Sequence, residues 1–277
     1  MIEMQAVPWR SARSLALNKL VTKPRLGLIT DMDGTLSPIV PEPEQAQVTP
    51  RNRELLDTLT AHLSLVAIVS GRAVIDLQAR VGLPHLTYVG NHGLDRWQDG
   101  RVKLAAQVAS FRPKIEGALR DLRARPIDGM LIEDKGATIS IHYRLANNPD
   151  AAARLLKVFV QEIADQYGLA VFPGRMIFEL RPPIGINKGT TFRELIQEHA
   201  LEAAVYLGDD TTDVDALRMA GVLRRENACF ALGIGVESAD MPLAVREEAD
   251  LLATGVPDVE AFLGWLLQAR RTADKPD

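Results

Sequence analysis

The chain has 277 residues, 47% hydrophobic and 25% charged, with a net charge of −4 and a single cysteine, Cys229. One cysteine excludes an intrachain disulfide framework and points to a reducing compartment, and the mild acidity excludes the basic footprint of a nucleic-acid binder. Uncharged apolar runs such as Leu63–Val69 and Cys229–Val236 fall short of the roughly 20 residues a membrane span needs, and Arg10, Arg13 and Lys19 flank no apolar signal core. A cytoplasmic globular protein of one large domain or two unequal ones is therefore expected.

Leu26–Thr30 is a short apolar strand that ends in Asp31-Met32-Asp33-Gly34. The Pro-rich stretch 38–50 reads as a loop, and Arg51–His62 as a helix with Leu55, Leu56 and Leu59 at helical spacing. Leu63–Val69 is a second buried strand, stopping at Ser70-Gly71-Arg72, followed by a helix over Ala73–Val81. A strand at Leu86–Val89 leads into the loop Gly90-Asn91-His92-Gly93.

The pattern changes between about residues 104 and 185. A long helix, Leu104–Arg125, precedes strands Met130–Asp134 and Ala137–Arg144, which turn at Gly136. A helix over Pro149–Tyr167 precedes strands Leu169–Phe172 and Met176–Arg181, which turn at Pro173-Gly174. Alternation then resumes with helix Gly189–His199, strand Ala204–Leu207, helix Thr212–Ala220 and strand Cys229–Ile234; Phe262–Leu267 marks a terminal helix. The expectation is an α/β fold, a parallel-sheet core formed by 1–103 and 186–277, interrupted by an α+β insertion (αββαββ) at 104–185.

Ligands of open parallel sheets bind beyond the carboxyl ends of the strands. Here those ends carry Asp31 and Asp33, then Ser70, then Asp209, Asp210 and Asp213, while Lys188 precedes a helix start. Asp31 and Asp33 are two apart, so on extended chain their carboxylates point the same way. Gathered carboxylates repel unless a cation compensates, and oxygen donors without a Cys/His cluster suit Mg²⁺ rather than zinc. Singly, each feature has a plain structural explanation: a turn for Ser70-Gly71, a helix cap for Asp210 or Thr211, a solvated surface for Lys188. Their conjunction in order along the chain is the informative signal.

Asp31-Met32-Asp33-Gly34-Thr35-Leu36, Ser70-Gly71-Arg72, Lys188 and Gly208-Asp209-Asp210-Thr211-Thr212-Asp213 resemble the four motifs of the haloacid dehalogenase superfamily. The resemblance implies a Rossmann-like core, with Asp31 as a nucleophile that becomes phosphorylated and Asp33 as the general acid/base. It further implies phosphate binding by Ser70, Gly71 and Lys188. Mg²⁺ would be held by Asp31, Asp33 (through its carbonyl) and Asp209, with Asp210 or Asp213 assisting.

In the insertion, Glu133 and Lys135 share one strand face by alternation, as do Ser140, His142 and Arg144, and Glu179 and Arg181. Ile132, Ile139, Ile141, Phe178 and Leu180 lie opposite and suit packing against helices. The polar face reads either as a solvated sheet face or as a lid over a polar substrate, the links near 100–105 and 182–187 then serving as hinges. Ile132-Glu133-Asp134-Lys135-Gly136, Ile141-His142-Tyr143-Arg144, Asn91-His92-Gly93 and Phe178-Glu179-Leu180-Arg181-Pro182 are similar to signatures of the trehalose-6-phosphate phosphatases.

That resemblance makes the insertion a cap and implies a small-molecule sugar phosphate as substrate, with no nucleic-acid or membrane partner. It names Glu133, Lys135, Arg144 and Glu179 as sugar-side residues, and functional coupling to a separate trehalose-6-phosphate synthase. His92 is either a substrate contact or structural, and Arg72 either touches phosphate or anchors a carboxylate. Sucrose phosphate and mannosyl-phosphoglycerate are alternative substrates of similar architectures, and a non-catalytic sugar-phosphate-binding regulatory domain is the alternative outside enzymes. The sequence departs from the family pattern at Val214 and Leu217, where a glutamate and an aromatic are usual.

Overall fold

The computed structural model describes residues 6–11, 16–40, 42–127, 129–174 and 176–273; Arg13 and the tail beyond 273 lie outside them. The chain divides into two compact units, Met1–Gly93 with Ile186–Asp277, and Leu94–Gly185.

The first unit begins with β1 (Val7–Pro8), α1 (Asn18–Val21), β2 (Leu26–Thr30), α2 (Pro50–Leu59), β3 (Leu65–Val69), α3 (Val74–Val81) and β4 (Thr87–Gly90). The second unit holds β5 (Asp95–Gln98), β6 (Arg101–Leu104), α4 (Ala106–Ala109), α5 (Arg112–Ala124), β7 (Leu131–Asp134), β8 (Ile139–His142), α6 (Pro149–Tyr167), β9 (Ala170–Gly174) and β10 (Ile177–Arg181). The first unit then resumes with α7 (Lys188–Glu198), β11 (Ala203–Gly208), α8 (Val214–Arg225), β12 (Phe230–Glu237), α9 (Leu243–Glu248), β13 (Leu251–Thr254) and α10 (Gly255–Ala273).

Among the described residues of the first unit the strands lie in the order β1-β13-β12-β11-β2-β3-β4, and these neighbours pair in parallel. β2, β3 and β11 are buried along their whole length, so their apolar runs show no alternation, as strands covered on both faces require. From β2 the chain steps outward to β3 and β4, and after the insertion β11 pairs with the other edge of β2. That reversal is a topological switch point, where a crevice opens beyond the strand ends. The Asp31 amide donates to the Leu207 carbonyl at 2.8 Å, carrying the β2–β11 ladder to the first residue of the crevice.

Helix starts are written in the sequence. Thr49 accepts from the Asn52 amide with Pro50 at the first turn of α2. Asn187 accepts from the Thr190 amide at 2.8 Å while the Thr190 hydroxyl accepts from the Asn187 amide at 3.0 Å. This capping box fixes Lys188 as the first residue of α7. Trp9 is buried against Phe262 and Trp265 of α10, with ring centroids 5.4 and 5.9 Å away.

In the second unit, the helix expected over Leu104–Arg125 is two helices, α4 and α5, and a hairpin that the sequence reading did not expect precedes them. Asp99 and Gly100 both have positive φ (53° and 74°) and join β5 to β6 in antiparallel register, as a two-residue Asp-Gly turn favours. Pro113, which has no amide to donate, falls in the first turn of α5. The compact units thus meet at Gly93, where the sequence reading drew its first break after residue 103. The strand expected to run to Arg144 ends at His142, leaving Arg144 exposed in the following turn. β7-β8-β10-β9 form an antiparallel sheet, whose Ile139, Ile141, Phe178 and Leu180 pack with Leu119 and Leu122 of α5 and Leu156 and Val160 of α6. A Cβ at Gly117 would stand 2.3 Å from Cε1 of Tyr167, so α5 needs a glycine where Tyr167 lies against it.

Candidate active site

Four chain segments of the first unit converge at the switch point. Asp31 follows β2, Ser70 follows β3, Asp209 follows β11, and Lys188 opens α7. Asp31, Ser70, Lys188, Asp209 and Asp213 are all buried. Lys188 Nζ lies 3.0 Å from Oδ2 of Asp31 and 2.7 Å from Oδ1 of Asp213. The Tyr206 hydroxyl donates to the same Asp213 oxygen at 2.6 Å. The other oxygen, Oδ2, accepts from the amides of Asp209 and Asp210 at 3.2 and 3.1 Å. Four donors therefore occupy Asp213, which ties Lys188 to the end of β11. Asp210 is exposed and its carboxylate accepts from the Thr211 amide at 2.6 Å, capping the short turn at Thr211–Asp213.

Burial dominates the electrostatics. It pushes Asp31 up to about 8; Lys188 pulls against this, while Asp213 and Asp33 push the same way. Burial also pushes Asp209 up to about 9, with Asp31 and Asp213 adding to it and Lys188 opposing. For Lys188, burial alone would lower the ammonium's affinity for its proton, but the charges of Asp213 and Asp31 outweigh it and hold the group above the usual lysine range.

The donor set fits a hard divalent cation. Asp31, Asp209 and Asp213 place carboxylate oxygens within 4.8 Å of one another, and Oδ1 of Asp31 is buried without a hydrogen-bond partner among the described residues. Gly34 (φ 78°) makes this approach feasible, since a Cβ there would stand 2.0 Å from Oδ2 of Asp209. An all-oxygen cluster whose members repel one another is what Mg²⁺ relieves.

Asp33 is held from the side. Arg72 grips it with a bidentate fork, Nε to Oδ2 at 2.7 Å and Nη2 to Oδ1 at 2.9 Å, so the structure places Arg72 on a carboxylate. The Arg72 amide donates to the Ser70 hydroxyl oxygen at 3.2 Å. Asn91 and His92 both adopt left-handed backbone (φ 46° and 59°), pinned by amide bonds to the carbonyls of Arg72 and Ser70 at 2.8 and 2.9 Å. A Cβ at Gly71 would stand 2.7 Å from the His92 ring, which therefore lies directly on the Ser70-Gly71 turn. The departures Val214 and Leu217 are buried in the apolar core of this unit, at packing positions.

The second unit gathers another set. The register across the sheet aligns Glu133 with Ser140 and Ser140 with Glu179. Glu179 is buried, and its Oε1 lies 3.1 Å from the Thr138 hydroxyl and 3.4 Å from Lys135 Nζ. Its Oε2 accepts from Nε of Arg181 at 2.6 Å, whose guanidinium stacks 4.5 Å above the Phe172 ring. Glu133 lies 3.1 Å from Nε2 of His142, and Arg144 is exposed in the turn after β8.

Sequence reasoning missed Tyr206, Asp76, Arg80 and Thr138. Tyr206 was hidden inside an apolar strand. Asp76 and Arg80 carried a signal, since Arg72, Asp76 and Arg80 are spaced by four on a helical stretch.

A parallel α/β unit with Asp-x-Asp at its switch point, a buried lysine and a distal acidic cluster, interrupted by a second α/β unit, defines a haloacid-dehalogenase-like hydrolase fold. A haloacid dehalogenase-like hydrolase from Bacteroides thetaiotaomicron is similar, with a TM-score of 0.58 at 16% identity over 90% of this chain and 99% of that one. The C-terminal domain of C. albicans trehalose-6-phosphate phosphatase superposes with a TM-score of 0.75 at 23% identity, covering 97% and 99% of the two chains. The trehalose-phosphatase family model matches residues 29–239, and the chain belongs to that family. A trehalose-phosphate phosphatase of Mycobacterium marinum is 38% identical over 209 residues, 73% of this chain and 53% of that protein. The chain thus spans about half the length of the curated relatives it matches.

Proposed function

We propose that this chain is a Mg²⁺-dependent phosphatase that converts trehalose 6-phosphate to trehalose and phosphate through an aspartyl-phosphate. The observation that carries the reading is the buried Asp31, its Oδ1 unpartnered and its Oδ2 3.0 Å from Lys188. One carboxylate oxygen is thus available to attack, while a fixed ammonium stands where charge on a phosphoryl group would need stabilising.

In the first step an Asp31 oxygen bonds to phosphorus, the bond from phosphorus to the sugar oxygen breaks, and Asp33 gives its proton to that oxygen. In the second, Asp33 takes a proton from water, whose oxygen bonds to phosphorus as the acyl phosphate bond breaks and Asp31 is restored. Lys188, the Ser70 hydroxyl and the Gly71 amide hold the phosphoryl oxygens. Asp31, Asp209 and the Asp33 carbonyl are assigned to Mg²⁺, because the oxygens of Asp213 are already taken by four donors. Bound there, Mg²⁺ would neutralise the carboxylates and draw charge from the phosphoryl oxygens.

Glu133, Lys135, Arg144 and Glu179 are assigned to the sugar hydroxyls, with His92 holding the Ser70-Gly71 turn. A buried, multiply bonded carboxylate such as Glu179 discriminates polar ligands because a missing hydroxyl leaves partners unsatisfied. A trehalose-6-phosphate synthase would be the functional partner. The test is phosphate release from purified protein given trehalose 6-phosphate, sucrose phosphate or mannosyl-phosphoglycerate, each with and without Mg²⁺. A clear lead in kcat/KM for trehalose 6-phosphate, dependent on Mg²⁺, is expected. Another ester leading would reassign the substrate, and tight binding without release would favour a sensor.

A further inference from the structure

We propose that Asp76 is a positioning residue for Asp33, acting through Arg72, and that Arg80 fastens it to the loop that leaves Asp33. The inference rests on the acid/base role assigned to Asp33 above. An arginine fork defines both the distance and the plane of the carboxylate it grips. The fork is only as fixed as the far edge of the guanidinium, and Asp76 holds that edge: Nη1 of Arg72 donates to its Oδ2 at 2.9 Å.

Asp76 Oδ2 also accepts from Nε of Arg80 at 2.7 Å. Nη1 of Arg80 donates onward to the carbonyls of Glu44 and Ala46 at 2.7 and 2.9 Å. Those carbonyls lie in the segment that runs on from Asp33. The same segment is tied back by the Thr49 amide and the Asn52 side chain, both donating to the Leu36 carbonyl, at 3.2 and 3.0 Å. Asp33, Arg72, Asp76, Arg80 and the loop therefore close a ring, part covalent and part ionic.

Exposed single ion pairs are too weak to orient anything, but both arginines here are mostly withdrawn from solvent, at 14% and 15% side-chain exposure. Asp76 and Arg80 are one turn apart on α3, and Arg72 stands just before its start. Within the ring, Nε and Nη2 of Arg72 are bonded to Asp33 and Nη1 to Asp76. A general acid must stand within hydrogen-bond reach of the leaving oxygen, so a shift of the fork moves Asp33 out of register with that oxygen.

The leaving group separates positioning from mere stability. A sugar alkoxide must be protonated as it departs, whereas the phenolate of p-nitrophenyl phosphate leaves without a proton. Asp76→Asn and Asp76→Glu would be compared with the parent and with Asp33→Asn on both esters, with thermal midpoints recorded. Asp33→Asn is expected to lose far more kcat/KM on the sugar ester than on the aryl ester. Both Asp76 variants should follow in milder form, kcat/KM on the sugar ester falling by about tenfold or more while kcat/KM on the aryl ester stays within about twofold, since this ratio ends at departure of the leaving group and excludes the hydrolysis that both esters share. Asp76→Glu keeps the charge and answers the question even where Asp76→Asn does not fold. Equal losses on the two esters, or none, in the Asp76 variants would overturn the positioning role and leave Asp33 untouched. Asp33→Asn showing no leaving-group dependence would instead overturn the acid/base assignment.

Discussion

The Nζ of Lys188 sits 3.0 Å from Oδ2 of Asp31, with both side chains almost wholly withdrawn from solvent. The ammonium is also the counter-ion of the buried Asp213, so its loss strands that carboxylate, whereas loss of the Asp31 charge leaves Lys188 paired with Asp213. Removing one partner of a buried pair costs about 3–5 kcal/mol because the other is stranded. Lys188→Met should therefore lower the free energy of unfolding in urea by that order and abolish phosphate release. An unchanged urea midpoint would show that Lys188 carries no such burden.

Asp31→Asn is expected to separate function from stability. The amide cannot form the acyl phosphate, so turnover should vanish. It also removes a carboxylate that burial and two neighbouring acids hold in its less favoured state, so the metal-free variant at pH 8 should melt no lower than the parent. Near-normal turnover in this variant would sink the covalent mechanism.

The acidic cluster predicts a pH trend with a definite sign. Asp31 and Asp209 hold their protons to about 8 and about 9 when folded, against an ordinary value of 3.8. Between those limits the folded state binds more protons than the unfolded chain. Stability then falls as pH rises. With EDTA, the melting temperature should drop between about pH 5 and 8.5; added Mg²⁺ should flatten that slope by compensating the carboxylates. Identical slopes with and without Mg²⁺ would count against a cation at this cluster.

Gly34→Ala is expected to damage the site more than the fold. At φ 78°, with the Asp209 carboxylate in the space a methyl would fill, the substitution must push Asp209 aside. Displacing Asp209, which is proposed to hold Mg²⁺, should weaken Mg²⁺ activation by about ten- to a hundredfold, read from the Mg²⁺ dependence of kcat/KM. A parent-like Mg²⁺ curve would show that Asp209 is not held where Gly34 allows it to be.

Glu179→Gln tests the second unit. The carboxylate joins Lys135, Thr138 and Arg181, and bonds to charged groups contribute about 1.5–3 kcal/mol each. KM for trehalose 6-phosphate should rise about tenfold or more, with KM for p-nitrophenyl phosphate, which has no sugar, unchanged. Equal rises for both esters would place Glu179 outside sugar recognition.

The strand ends were legible because buried parallel strands must be apolar throughout, so Asp31, Ser70 and Asp209 stand out where those runs stop. Lys188 was legible only in conjunction with those strand ends, as the residue before a helix start; the capping box of Asn187 and Thr190 that fixes it there is a finding of the structure. The hairpin at residues 95–104 was missed although Asp99-Gly100 is a strong turn signal, because its strands are short and polar. The last sheet strand, Leu251–Thr254, was missed since four residues beside a helix have too little periodicity to register.

By itself the sequence determined which residue types reach the ends of the parallel strands, since hydrophobic patterning and capping act over a few neighbouring residues. Only the tertiary structure decided which of those groups lie together. Asp213 accepts from Lys188, Tyr206 and two amides, and Arg72 grips Asp33. Such pairings depend on distances of a few ångströms between segments far apart in the chain, Thr35 and Asp209 by 174 residues. The strand order sets those distances, and no local pattern in the chain encodes them.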